Sequence, residues 1–364
     1  MKATQQLHDL GQSLWLDNIT RTLLDDGTLA RYIKELSVTG LTSNPTIFEQ
    51  AIGKSDAYDA DIANKVAAGR KGEDLFFELA IADLQRAAEL FKPVFDKTHG
   101  VDGWVSLEVS PLLAHDAKGT AKAAQKLHEQ ANRSNLYIKI PGTPEGVQAI
   151  EESIFAGVPV NVTLLFSPAQ YQASAEAYLR GIERRVAAGL DPKVSSVASL
   201  FVSRWDVAAN PELPENLHNT LGIAVAGQTY RAYRDLLASP RWKQLAAAGA
   251  QAQRLLWAST GTKDPKAPDT LYVDALAAPD TINTIPEKTL KAVAEHGSAT
   301  QHLTNTAGAA DAAVAACRNA GIDVDALAER LQREGAESFA KSWNSLLDNI
   351  ASKASSVSNK DGVQ

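Results

Sequence analysis

Cysteine is nearly absent: Cys317 is the only one in 364 residues. No intrachain disulfide can form, and thiolate-rich metal sites are excluded. A reducing, cytoplasmic setting is the simplest reading, with Cys317 a packed helix residue in the alanine-rich run 312–317 rather than a nucleophile. No apolar run approaches the ~20 residues of a membrane span, and the first residues, Met1-Lys2-Ala3-Thr4-Gln5-Gln6, lack the apolar core of a secretory leader. Positive charge is in deficit, with 36 Lys and Arg against 43 Asp and Glu, a net charge of −7. That balance argues against a broad nucleic-acid surface. The seven histidines show no close ligand spacing, and there is neither a Walker loop nor a Gly-rich first turn of a dinucleotide fold. A metal site is not expected.

What remains is a chain with 45% hydrophobic and 22% charged residues, enough to bury a large core. Short apolar runs alternate with helical periodicity throughout. Strands are expected at 14–17, 38–44, 105–110, 135–143, 159–166, 194–202, 254–259 and 281–285. Between them lie helical segments, among them Gly72–Lys97, 116–132 and a helix opened by Ser167, Pro168 and Gln170 as a capping box. Eight strands alternating with helices predict an α/β fold, a (β/α)8 TIM barrel with additional C-terminal helices. The expected layout is one domain: barrel over about 12–300, helical extension over about 301–353 and a mobile tail 354–364.

The run Leu136-Tyr137-Ile138-Lys139-Ile140-Pro141 is the anomaly, an apolar strand with a lysine at its centre. Side chains alternate across a strand, so Lys139 opposes Leu136, Ile138 and Ile140. Ser106, Glu108 and Ser110 likewise share one face of the third strand, Asn161 and Thr163 one face of the fifth opposite Val160, Val162 and Leu164, and Asp17 opposes Leu16. Parallel barrel strands usually read apolar on both faces. A polar interior toward the C-terminal strand ends is where barrel active sites are built.

A lysine desolvated in a barrel loses its charge more easily, which suits attack on a carbonyl and an imine that serves as an electron sink. Asp17 and Glu108 supply carboxylates for proton transfer. Asn44, Asn161, Thr163 and Ser199 suit a hydroxyl-rich substrate. Arg204, with Ser259 or Lys263, suits an anionic end such as a phosphate. Blander readings exist for each. Lys139 and Glu108 could be a structural ion pair, Asp17 a helix cap, Asn44 a cap or turn residue, Arg204 and Asp206 a surface pair, and Lys263 a solvated loop residue.

These segments together resemble the transaldolase family: Leu16-Asp17, Gly40-Leu41-Thr42-Ser43-Asn44-Pro45-Thr46, Val105-Ser106-Leu107-Glu108-Val109, Ile138-Lys139-Ile140-Pro141-Gly142-Thr143, Val160-Asn161-Val162-Thr163-Leu164-Leu165-Phe166-Ser167 and Ser199-Leu200-Phe201-Val202-Ser203-Arg204. The resemblance implies Lys139 as the Schiff-base lysine. It implies Asp17 as the base at the hydroxyl beside the breaking bond, and Glu108 with Thr163 and a water as the proton carriers of imine formation. Asn44, Asn161 and Ser199 would hold the dihydroxyacetone unit and Arg204 the phosphate. The implied partners are small sugar phosphates, with no nucleic acid or membrane, for a monomer or homodimer that needs no cofactor. Two positions depart from the usual pattern. Ser110 stands where many members have an acid, and Ser259-Thr260-Gly261-Thr262-Lys263 replaces a Ser-Phe-Arg sequence, leaving Lys263 as the candidate second phosphate contact. The competing activity is a fructose-6-phosphate aldolase-like lyase, but such relatives tend to lack the strand-three glutamate and use a tyrosine near Phe201. A sugar-phosphate-binding protein without catalysis is a third reading, opposed by the retained lysine and carboxylates.

Overall fold

Each apolar run pairs in parallel with its sequence neighbour, and the last pairs with the first. The result is a closed barrel of β1 (Gln12–Asp17), β2 (Val38–Thr42), β3 (Val105–Glu108), β4 (Leu136–Pro141), β5 (Val160–Leu165), β6 (Ser196–Phe201), β7 (Arg254–Ala258) and β8 (Thr281–Ile285). The computed structural model describes residues 2–299, 303 and 307–361. The expected (β/α)8 barrel is therefore present. The junction placed near 300–301 lies outside the described residues.

The helices begin where local chemistry starts them. Asp116, Thr143 and Ser167 each accept a backbone N–H three residues on, satisfying one of the orphan donors of a first turn. Gln170 reaches back to the N–H of Phe166, one residue earlier than a capping box would place it. The helix Gly72–Lys97 has the predicted bounds and carries Pro93 inside it.

Two apolar zones follow from the alternation of the strands. Outward-facing Leu14, Leu16, Leu41, Ile138, Ile140, Val160 and Val162 pack against the helix shell. Inside the barrel, Trp15, Trp104, Tyr137, Val197, Leu256 and Ile282 form a plug below the polar layer. Trp104 and Tyr137 stack with centroids 4.0 Å apart, and the Trp15 indole donates to Asp102 at 2.7 Å. Gly40 makes room for this plug, because a Cβ there would lie 2.5 Å from Trp15 Nε1. Gly40→Ala is expected to cost about 1–3 kcal/mol of stability by overpacking, read as a lower urea midpoint at unchanged m-value.

The strand β5 breaks its own alternation. Its register with β6 shifts between Val162 and Leu165, and Leu164 takes a left-handed φ of 59°. Leu164, expected beside Val160 and Val162, instead joins Phe166, Phe201 and Trp205 in the inner cluster. The extra residue of the bulge reverses the side-chain direction. After β8, helices Glu287–His296 and Ala307–Asn319 lead to a final helix, Val324–Asp361. Most of the stretch assigned to a mobile tail is thus helical, while 362–364 lie outside the described residues. The final helix crosses to Pro45–Gly53 and buries Phe339, Trp343, Leu346 and Ile350, so the question of what the C-terminal helices cover is answered at the barrel mouth.

Candidate active site

The register of the strands aligns Glu108 with Lys139 and Lys139 with Asn161. Side chains at the same level of adjacent parallel strands point the same way, so all three face inward. The Lys139 ammonium lies 2.9 Å from Glu108 Oε2 and donates to the Ser43 carbonyl at 2.9 Å. Lys139 and Glu108 expose only 6% and 5% of their side chains, so neither charge is hydrated by bulk water. Burial pushes the Glu108 carboxyl above its ordinary range, partly offset by the positive charge of Lys139. Lys139 and Glu108 form the buried ion pair that one reading of the sequence expected.

Asp17 ends β1 on the same interior level. Its Oδ1 accepts from Thr42 at 2.7 Å, and Thr42 shares a 2.5 Å contact with the Thr284 hydroxyl. Burial raises the Asp17 pKa; Thr42 and the charges of Lys139, Arg204 and Lys263 pull the other way without reversing the shift. The helix-cap reading of Asp17 does not hold, since Thr20 caps that helix by accepting from Leu23 N–H. Asn44 does cap the next helix, its Oδ1 accepting from Ile47 N–H at 3.0 Å, and also lines the cavity. The cap reading of Asn44 therefore holds.

A cavity of about 300 Å³ opens above this layer. Asp17, Asn44, Lys139, Thr163, Ser199, Phe201, Arg204, Ser259 and Lys263 all reach it. Asn161 and Glu108 lie below its wall. Asn161 is held by donating to Ser106 at 3.1 Å and accepting from Ser199 at 2.7 Å. Thr163 Oγ1 is buried without a hydrogen-bond partner, the condition under which a small polar molecule is held at low cost. Ser259 meets the Ser203 hydroxyl at 2.9 Å, and Lys263 is exposed at the rim.

Arg204 departs from the surface-pair reading. Asp206 is buried, accepting instead from Gly222 N–H and the Tyr272 hydroxyl. Arg204 faces the cavity with no carboxylate within ion-pair distance among the described residues, over the Phe201 ring at 5.0 Å. Burial lowers its pKa against the pull of Glu108 and Asp17. Three cations, Lys139, Arg204 and Lys263, thus line one cavity with a single carboxylate, Asp17, which suits an anionic substrate.

Sequence reasoning missed Thr42, Thr284 and Phe339. Thr42 lies two residues beyond Gly40, whose Cβ direction is toward Trp15 inside the barrel, so alternation could have found it. Thr284 was similarly accessible. Phe339 carried no such signal.

The profile of the Transaldolase/Fructose-6-phosphate aldolase family matches residues 14–350. The chain belongs to this family. The transaldolase of Thiobacillus denitrificans is 44% identical over 358 residues, covering 96% of this chain and 100% of its own. That of Thermobifida fusca is 44% identical over 356 residues, covering 95% and 97%. Transaldolase 2 of Nostoc punctiforme is 38% identical over 368 residues, covering 96% of each. The match to the transaldolase/fructose-6-phosphate aldolase profile ends at Ile350, so it includes most of the final helix as well as the barrel.

Proposed function

We propose that this chain is a transaldolase of the non-oxidative pentose phosphate pathway. It moves a dihydroxyacetone unit from sedoheptulose 7-phosphate or fructose 6-phosphate to glyceraldehyde 3-phosphate or erythrose 4-phosphate through a Schiff base on Lys139. The observation that carries this reading is the buried Lys139 ammonium at 2.9 Å from Glu108, with Asp17 at the same cavity.

The chemistry follows from the proton positions. Transfer of the ammonium proton to Glu108, a carboxyl already biased toward its neutral form, leaves an amine that can attack the ketose C2 carbonyl. The carbinolamine loses its oxygen as water when Glu108 returns a proton, with Thr163 Oγ1 holding the water. Asp17 then takes the proton of the C4 hydroxyl. The C3–C4 bond breaks, its electron pair enters the iminium, and an aldose phosphate leaves. The enamine on Lys139 adds to the incoming aldehyde by the reverse sequence, and hydrolysis frees the enzyme. A raised pKa makes Asp17 a stronger base than an exposed aspartate. Asn44, Asn161 and Ser199 hold the three-carbon unit. Arg204 takes the phosphate, and Lys263 with Ser259 supports it from the rim.

Borohydride reduction in the presence of fructose 6-phosphate, followed by peptide mapping, tests the mechanism. An adduct on Lys139 is expected, and none, or one elsewhere, rejects it. Arg204→Met is expected to raise KM for fructose 6-phosphate by about 100-fold or more, given the strength of charge-assisted contacts to phosphate, with the borohydride adduct still formed at saturation. The lyase reading, release of free dihydroxyacetone, is disfavoured by Glu108 and by a phenyl ring rather than a phenol at Phe201. Turnover of fructose 6-phosphate is expected to require erythrose 4-phosphate; undiminished turnover without it would favour the lyase. The cavity suits small sugar phosphates, and no helix among the described residues is long and apolar enough to cross a membrane. A cytoplasmic monomer or homodimer completes the proposal, with gel filtration and light scattering as the test of assembly.

A further inference from the structure

The final helix turns one narrow face toward the site. Gln332 donates from Nε2 to the carbonyls of Gly142 and Leu164, at 2.9 and 3.0 Å. Trp343 donates from Nε1 to Glu73 at 3.0 Å, three turns further along. Between these anchors, one turn apart, stand Gly335 and Phe339, which share a helix face. A Cβ on Gly335 would lie 3.2 Å from Arg204 Nη1 and 2.9 Å from Leu164 Cδ2. The Phe339 ring, 4% exposed, lines the cavity with its centroid 5.7 Å from Arg204 Cζ and 6.0 Å from Lys139 Nζ.

We propose that the Gly335–Phe339 face of the final helix is a seat for the Arg204 guanidinium, and that Phe339 is a positioning residue that sets the preference for phosphorylated substrates. Three features support this. First, Arg204 has no carboxylate partner among the described residues, so what holds it is packing between the rings of Phe201 and Phe339. Aromatic faces attract a guanidinium without neutralising it, and its N–H groups remain available to an anion. A carboxylate in the same place would compete with the phosphate. Second, the gap at Gly335 admits the guanidinium edge against the helix backbone, a close approach that other residues would obstruct. Third, the seat is fixed in place by the β5 bulge. The left-handed Leu164 presents its carbonyl to Gln332 and its side chain to Gly335, so the irregularity in β5 docks the helix that holds Arg204.

This inference rests on the phosphate role proposed above for Arg204, and the experiment separates the two. Phe339→Leu and Gly335→Ala are compared with the parent in KM for fructose 6-phosphate, in inhibition by inorganic phosphate, and in borohydride trapping of dihydroxyacetone, which has no phosphate. Both variants are expected to raise KM and the phosphate inhibition constant together by about 10-fold, the scale of a desolvated cation–π contact. Dihydroxyacetone trapping should stay within about twofold of the parent in Gly335→Ala, which leaves Glu108, Ser43 and the Phe339 ring around Lys139. Phe339→Tyr, which retains the ring, should restore the parental KM. Should Phe339→Leu fail to fold, Gly335→Ala carries the comparison, since alanine favours the helix. Unchanged KM and phosphate inhibition in a folded variant overturns the seat. So does a parallel loss of dihydroxyacetone trapping in Gly335→Ala, which would mean general damage to the site. If the parent enzyme itself is not inhibited by phosphate and Arg204→Met leaves KM unchanged, the phosphate role of Arg204 fails, and the seat's role in substrate preference is rejected with it.

Discussion

Lys139→Met is expected to abolish transfer, with kcat/KM down by about 10⁴-fold or more, because a covalent step has no substitute on this site. The borohydride adduct should vanish with it. The same variant carries a stability signature. Methionine matches the lysine stem in length but leaves Glu108 buried without its cation. Breaking a buried pair from one side costs about 3–5 kcal/mol, so the melting temperature at pH 8 should fall by several degrees. The sign of the pH dependence follows from Glu108. Burial already raises its pKa in the folded state, and loss of Lys139 removes the main opposing influence. Above its unfolded value the native state then binds the proton more tightly than the unfolded chain, so stability rises as pH falls toward that value. The deficit of Lys139→Met should shrink between pH 8 and pH 5. A second change, Glu108→Gln, should recover much of it, since no charge is then left buried. A pH-independent deficit that Glu108→Gln does not relieve would show that Glu108 is not the source.

Asp17→Asn should separate activity from stability. The amide fits the same space but cannot take the C4 hydroxyl proton, so kcat is expected to fall by about 10²–10⁴-fold, the range for loss of a general base. Imine formation does not require Asp17 in the proposed sequence. The variant should therefore accumulate the fructose 6-phosphate Schiff base, and borohydride should trap more of the unbroken six-carbon adduct than in the parent. Near neutral pH the ionised Asp17 is a cost to folding, because burial outweighs Thr42 and the nearby cations. Asp17→Asn should thus raise the melting temperature at pH 7 by about 1–3 °C. The gain should disappear as pH falls through the folded Asp17 value, where the parent carboxyl is itself neutral. In the parent, the acid limb of kcat/KM should lie above the ordinary carboxylate range for the same reason. An acid limb near pH 4, or a destabilised Asp17→Asn, would exclude Asp17 as a buried base.

In the proposed mechanism the two carboxylates divide the labour through their neighbours. Glu108 lies 2.9 Å from the Lys139 ammonium, the group whose proton it takes in the proposed mechanism. Asp17 accepts from the Thr42 hydroxyl and forms no ion pair among the described residues, so in the proposed mechanism it keeps its basicity for the substrate. The hydroxyl pair Thr42–Thr284 fixes one Asp17 oxygen and leaves the other toward the cavity, a means of orienting a base without neutralising it.

How much of this was readable before the fold was known depends on the distance over which each feature is decided. Alternation along a strand is local, so Lys139, Glu108, Asp17 and Asn161 could be assigned to one interior face from their spacing alone. The strand–helix alternation pointed to a closed barrel, and the capping residues located several helix starts to within a residue. The bulge at Leu164 was not readable. It needs the register between β5 and β6 and a carbonyl partner in Gln332, which lies 168 residues away. The partners of Arg204 were hidden for the same reason: Asp206 was the nearest carboxylate in sequence, yet the fold engages it with Gly222 and Tyr272. Sequence by itself determined the barrel and the buried lysine and pointed to the amine chemistry proposed for it, because these depend on period-two patterning and on the cost of burying charge. Only the tertiary structure decided what covers the barrel mouth and what flanks the cavity-facing Arg204, because Gly335 and Phe339 meet it through the docking of a distant helix.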